Sequence, residues 1–145
     1  MKLKLRIKKD LKRELKELAI KKDIERKELA VQLISEVVEN NDELNISDIE
    51  EFIENTKELE SEILKINENE SLDNEERKSA IEELKGRYKV IIYTNKIAKK
   101  KTETLIIDLE EKIYYGFLLT AESNKMSIEQ FGVKILTDYA NANRI

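Results

Sequence analysis

At 145 residues the chain has room for one ordinary domain or two small ones. It contains no Cys, His, Pro or Trp, which excludes a disulfide framework, a thiolate metal site, and a Ser-His-Asp or Cys-His catalytic set built from its own side chains. Asp, Glu, Lys and Arg make up 40% of the residues and apolar side chains another 40%. That balance fits amphipathic helices with solvated outer faces, in a protein that is not an enzyme and carries no cofactor or metal. No N-terminal apolar segment and no run of roughly 18 apolar residues is present, so the expected setting is soluble and cytoplasmic.

The net charge of -4 conceals a pattern along the chain. Residues 1–30 hold 12 basic and 6 acidic side chains, whereas residues 31–70 hold 2 basic and 13 acidic. The balance is basic again over 71–101 and mildly acidic over 102–145. A basic head followed by an acidic stretch reads differently from a uniformly acidic protein.

Met1 to Ile7 alternate strictly, with Leu3, Leu5 and Ile7 on one face and Lys2, Lys4 and Arg6 on the other. This is the period of a half-buried β-strand, too short to stand without a partner. From Lys9 the period becomes helical through Leu11, Leu15, Leu18 and Ala19, stopping near Lys21-Lys22-Asp23. A second helix runs from about Glu25 to Glu39 on a stripe of Leu29, Leu33, Ile34 and Val37.

Asn40-Asn41-Asp42 is a break. Ser47-Asp48-Ile49-Glu50 has the form of a capping box and opens a helix with Ile49, Phe52, Ile53, Leu59, Ile63 and Ile66 close to a heptad seam. Asp73 to Glu76 caps a shorter helix carrying Ala80, Ile81 and Leu84, with Gly86 as its expected C-cap. Tyr88 to Thr94 is β-branched and aromatic and reads as a strand. Asn95 to Lys101 is a basic loop, followed by a strand over Thr104 to Leu109 and helices over about Glu111–Glu122 and Ser127–Asn141. Ser127 and Gln130 form a second capping-box pattern.

Shifting the chain on itself by 102 residues aligns its two ends without a gap over about 40 residues. Leu3, Leu5 and Ile7 fall on Leu105, Ile107 and Leu109; Leu11 and Leu15 fall on Ile113 and Phe117; Ala19 falls on Ala121, Leu29 on Phe131 and Ala30 on Gly132. Few residues are identical, so what repeats is an order of elements: strand, helix, turn, helix.

The segment from Lys2 to Asn40 resembles the ribbon-helix-helix (MetJ/Arc-type) superfamily of DNA-binding regulators over its full length. The two-copy layout is similar to tandem regulators of archaeal filamentous viruses, which would place the protein in a viral or archaeal setting and in the host-cell cytoplasm. The resemblance implies a mainly α fold with short β-strands: two ribbon-helix-helix motifs joined by a helical and β-hairpin middle segment. The corresponding segments are 1–42 (DNA-binding), 43–100 (helical connector plus strand) and 101–145 (a degenerate copy used for association).

In that family two chains pair their strands into an antiparallel ribbon that enters the major groove of double-stranded DNA. This implies Lys2, Lys4 and Arg6 as base-reading residues, and Lys8, Lys9, Arg26 and Lys27 as phosphate contacts, the last two near the start of the second helix. Glu25 departs from the family's usual Ser or Thr cap. In the second copy, Thr104, Ile106 and Asp108 stand where Lys2, Lys4 and Arg6 stand in the first, so its expected role is association through Ile106, Tyr114, Tyr115 and Phe131. Its partner is left open: another chain's copy, the first copy of the same chain, or a different protein. Lys96, Lys99, Lys100 and Lys101 either contact flanking phosphates or form a solvated loop tip.

The expected function is a sequence-specific transcription regulator, repressor or activator, acting as a homodimer or a higher oligomer on DNA, with no membrane or small-molecule partner. The alternative is an antitoxin that autorepresses through its N-terminal ribbon and binds a toxin through its C-terminal part.

Overall fold

The computed structural model describes residues 1–88 and 102–143. Its elements are β1 (Lys2–Lys8), α1 (Lys9–Lys21), α2 (Arg26–Glu39), α3 (Ile46–Glu68), α4 (Asn74–Tyr88), β2 (Thr102–Asp108), α5 (Glu111–Ser123) and α6 (Ile128–Ala142). The protein is mainly helical with a two-stranded antiparallel sheet. The described chain forms two compact units: residues 1–44 together with 102–143, and residues 45–88.

In the first unit β1 pairs with β2, so the ribbon expected between two chains is made within one. Of the partners left open by the sequence, the second copy takes the first copy of its own chain. Leu5 faces Leu105 at the centre, with Lys4 facing Ile106, Lys2 facing Asp108 and Arg6 facing Thr104. Leu3, Leu5 and Ile7 of β1, with Leu105 and Ile107 of β2, turn inward and are buried. The second helix of each half lies against the strand of the other, α6 on β1 and α2 on β2. The core is therefore shared: Leu15, Leu29 and Ile34 from the first half meet Phe117, Phe131 and Leu136 from the second. Phe117 and Phe131 stack at 4.9 Å between ring centroids.

The helical turns of the two halves match in detail. Asp23 and Lys125 each adopt the left-handed conformation at φ 57°, 102 positions apart. In each turn a buried alanine carbonyl accepts two backbone N–H groups: Ala19 from Lys22 and Ile24, Ala121 from Asn124 and Met126. The sequence repeat thus coincides with a repeat of backbone geometry. The two starts of the second helices differ. Ser127 and Gln130 make both bonds of a capping box at α6, whereas Glu25 leads into α2 with no side-chain cap bond.

In the second unit α3 packs on α4 through Phe52, Leu59, Ile63, Ile66 and Leu84. Three local expectations need correction here. Helix α3 is capped two residues earlier than Ser47, by Asn45, whose side chain accepts from Asp48 N at 2.8 Å. Gly86 lies inside α4 and does not terminate it, and Tyr88 is the last residue of α4 and does not begin a strand. The rest of the expected strand and the basic loop with Lys96, Lys99, Lys100 and Lys101 lie outside the described residues. The capping box at Asp73 is formed, with Glu76 N donating to Asp73 Oδ1 at 2.8 Å and Asp73 N donating to Glu76 Oε1 at 3.4 Å.

Candidate nucleic-acid interface

Alternation along β1 and β2 sends the even-numbered residues to the outer face of the ribbon. Lys2 and Lys4 are exposed there and Arg6 is half-buried. Their alternate neighbours Leu3, Leu5 and Ile7 are sealed in the core, so the cationic side chains stand on a supported strand. Lys4, Arg6, Thr102, Thr104 and Ile106 line one shallow depression on this face. Alternate residues of a strand recur about every 6.8 Å, so three outward side chains span about four base-pair steps of 3.4 Å. A two-stranded ribbon also fits the major groove of B-DNA, about 12 Å wide.

The acidic member of this face is engaged. The amino terminus of Met1 donates to Asp108 Oδ1 at 2.9 Å and to the Leu109 carbonyl at 2.6 Å. Its hydrogen bond, then its charge, hold the Asp108 carboxyl below the usual carboxylate range. The repulsion that Asp108 would exert on a polyanion is thereby partly balanced within the chain.

Behind the ribbon, Lys8 and Lys9 are exposed where β1 runs into α1. Lys16, Ile20, Ile24, Glu25, Arg26 and Lys27 line a hollow between the end of α1 and the start of α2. Lys27 is exposed and Arg26 is half-buried, with its Nη1 donating to the Lys12 carbonyl at 3.5 Å and its Nε buried without a hydrogen-bond partner. Lys12 Nζ is 2.9 Å from Glu103 Oε2, and this hydrogen bond keeps the Glu103 carboxyl below its usual range. The structure thus brings Arg26 and Lys27 to one helix end, with Lys8 and Lys9 at the junction of β1 and α1. Lys16 joins the hollow although the sequence reading passed over it. Its signal was present, since Lys9, Lys12, Arg13 and Lys16 recur at helical spacing.

The residues assigned to association are dispersed. Tyr115 and Phe131 are each only 6% exposed, Phe131 inside the shared core. Tyr114 is half-buried and meets Tyr115 edge to face at 5.5 Å, and burial pushes its hydroxyl pKa up. Ile106 alone of the four is open, at 40% exposure, and it sits on the ribbon face opposite Lys4. Among the described residues no group of acidic side chains is arranged to hold a metal ion, and no helix is long and apolar enough to cross a membrane. No family model, curated protein or solved structure matches the chain.

Proposed function

We propose that the protein is a DNA-binding transcription regulator built from two ribbon-helix-helix halves in one chain, which inserts the β1–β2 ribbon into the major groove. The observation that carries this reading is the pairing of an outward row of Lys2, Lys4 and Arg6 with an inward row of Leu3, Leu5 and Ile7 on a paired, core-backed strand. Lysine and arginine donors suit guanine O6 and N7, which lie in the major groove. Lys8, Lys9, Arg26 and Lys27 supply the phosphate contacts that hold the ribbon in register. Because one chain contributes both strands, a single chain is the DNA-binding unit, and further chains add on neighbouring sites. The antitoxin alternative is less favoured, because residues 102–143 are committed to a core shared with the N-terminal half.

Fluorescence anisotropy with a pool of random-sequence duplexes tests the reading. The full chain binds at low salt, with affinity falling steeply as salt rises. Lys2→Ala, Lys4→Ala and Arg6→Ala combined weaken binding and flatten the salt dependence while the circular dichroism spectrum is unchanged. Unchanged affinity and salt slope in that triple variant sink the proposal.

A further inference from the structure

The sheet register brings the two copies of the repeat together on one ribbon. About the point where Lys4 faces Ile106, a two-fold rotation exchanges β1 with β2 and brings each residue onto the one 102 positions away. Under that rotation the inward rows exchange like for like: Leu3 with Leu105, Leu5 with Ile107, Ile7 with Leu109, all buried. The outward rows do not. Lys2 exchanges with Thr104, Lys4 with Ile106 and Arg6 with Asp108. Within the first unit the ribbon matches under the two-fold on its inward face and differs on its outward face.

The flanks break the symmetry in the same direction. Lys8 and Lys9 exchange with Glu110 and Glu111, and Arg26 and Lys27 with Ile128 and Glu129. At α6 the amide of Gln130 is already taken by Ser127 Oγ at 3.1 Å. At these four matched pairs of positions the positive charge lies on the first half.

We infer that this chain recognises a non-palindromic DNA sequence and binds it in a single orientation, an inference that rests on the DNA-binding reading above. β1 presents donors for guanines across about four base-pair steps. Ile106, apolar and 40% exposed beside Lys4, offers a surface for a thymine methyl at the centre of the site. Thr104, facing Arg6, donates or accepts with either base type. Asp108 is held by the amino terminus and contributes little to selection.

The test is selection from random duplexes with the full chain, retaining only complexes of one chain per duplex. A consensus lacking two-fold symmetry, with guanines concentrated on one side of a thymine, is the expected result. Replacing that thymine by uracil weakens binding about four-fold, the worth of one buried methyl, and has no effect on Ile106→Ala. The variant Thr104→Lys, Ile106→Lys, Asp108→Arg, which places the β1 side chains on both strands, shifts the consensus toward a palindrome. A palindromic consensus from the native chain, or binding to all duplexes alike, overturns the inference and leaves DNA binding standing. No binding to any duplex at low salt overturns the function itself.

Discussion

Lys4 and Ile106 face each other next to the middle pair of the two-stranded sheet, and they are also the pair that the 102-residue repeat superimposes. The pairing therefore places the two-fold relation of the repeat within the ladder, with Lys4 and Ile106 on its axis. The same offset relates the two left-handed turn residues, Asp23 and Lys125. Two halves with few identical residues match in their turn geometry, and each supplies part of the core that the other packs on. The outward residues, free of that constraint, differ.

A shared core makes the two halves melt together. Leu5 is fully buried and lies among residues of both halves. Leu5→Ala is expected to cost about 2–5 kcal/mol, the range for removing a buried leucine side chain. Hydrogen exchange should show protection falling in α5 and α6 as well as in α1 and α2. Loss confined to α1 and α2 would mean that the halves are independent.

Two glycines give opposite expectations. A Cβ on Gly132 would lie 2.7 Å from Leu5 Cδ2, so a larger side chain must displace the Leu5 side chain, which is fully buried. Gly132→Val should destabilise by about 1–3 kcal/mol through overpacking. Around Gly86 in α4 a Cβ meets nothing within 4 Å. Gly86→Ala should therefore stabilise by about 0.5–1 kcal/mol, the helical cost of glycine. Denaturant midpoints of the two variants should move in opposite directions.

Much of this fold was legible because the inward positions are apolar and the periods unbroken: Leu3, Leu5 and Ile7 fit a strand, and Leu11, Leu15 and Ala19 a helix. The partner of β1 was not legible, since an aliphatic row pairs equally well with a second chain or with β2. Local ends were ambiguous for a similar reason. Asn45 and Ser47 are both good caps two residues apart, and Gly86 reads as a terminus by type although its backbone stays helical. The basic face could be read from alternation alone. The bonds that modify it, Met1 to Asp108 and Lys12 to Glu103, join residues about a hundred positions apart that only the pairing of β1 with β2 brings together.

Lys125 holds the left-handed conformation that glycine adopts without a side-chain penalty. Lys125→Gly should stabilise by about 0.5–1 kcal/mol, the relief of that strain exceeding the added freedom of the unfolded chain. Asp23→Gly should gain less, because aspartate tolerates this region better than lysine. Thermal unfolding of both variants checks the order.

Asp73 gives a pH signature in the second unit. The Glu76 backbone N–H, its largest influence, holds the Asp73 carboxyl below the usual carboxylate range. A carboxyl depressed on folding contributes stability that is complete above its unfolded pKa and lost as pH falls through the folded value. Carbon-13 titration should therefore place the Asp73 midpoint below that of an ordinary aspartate. Asp73→Asn keeps an acceptor at the cap and removes the acid-dependent part of α4 stability. A midpoint at or above the ordinary value would exclude the capping bond in solution.

Positioning and reading residues on the proposed interface separate by their salt and sequence dependence. Lys27, exposed at the start of α2, carries a charge and no route to a base edge in the proposed mode. Lys27→Ala should weaken binding equally on all duplexes and lower the slope of log affinity against log salt by about 0.9, one phosphate contact. Lys4→Ala should cost about 1–3 kcal/mol on the preferred sequence and less on others, compressing the difference between them. Glu129, related to Lys27 by the repeat, supplies the control. If only one half grips the backbone, Glu129→Gln leaves the salt slope unchanged. A slope altered as much by Glu129→Gln as by Lys27→Ala would place phosphates on both halves and remove the basis for a single orientation.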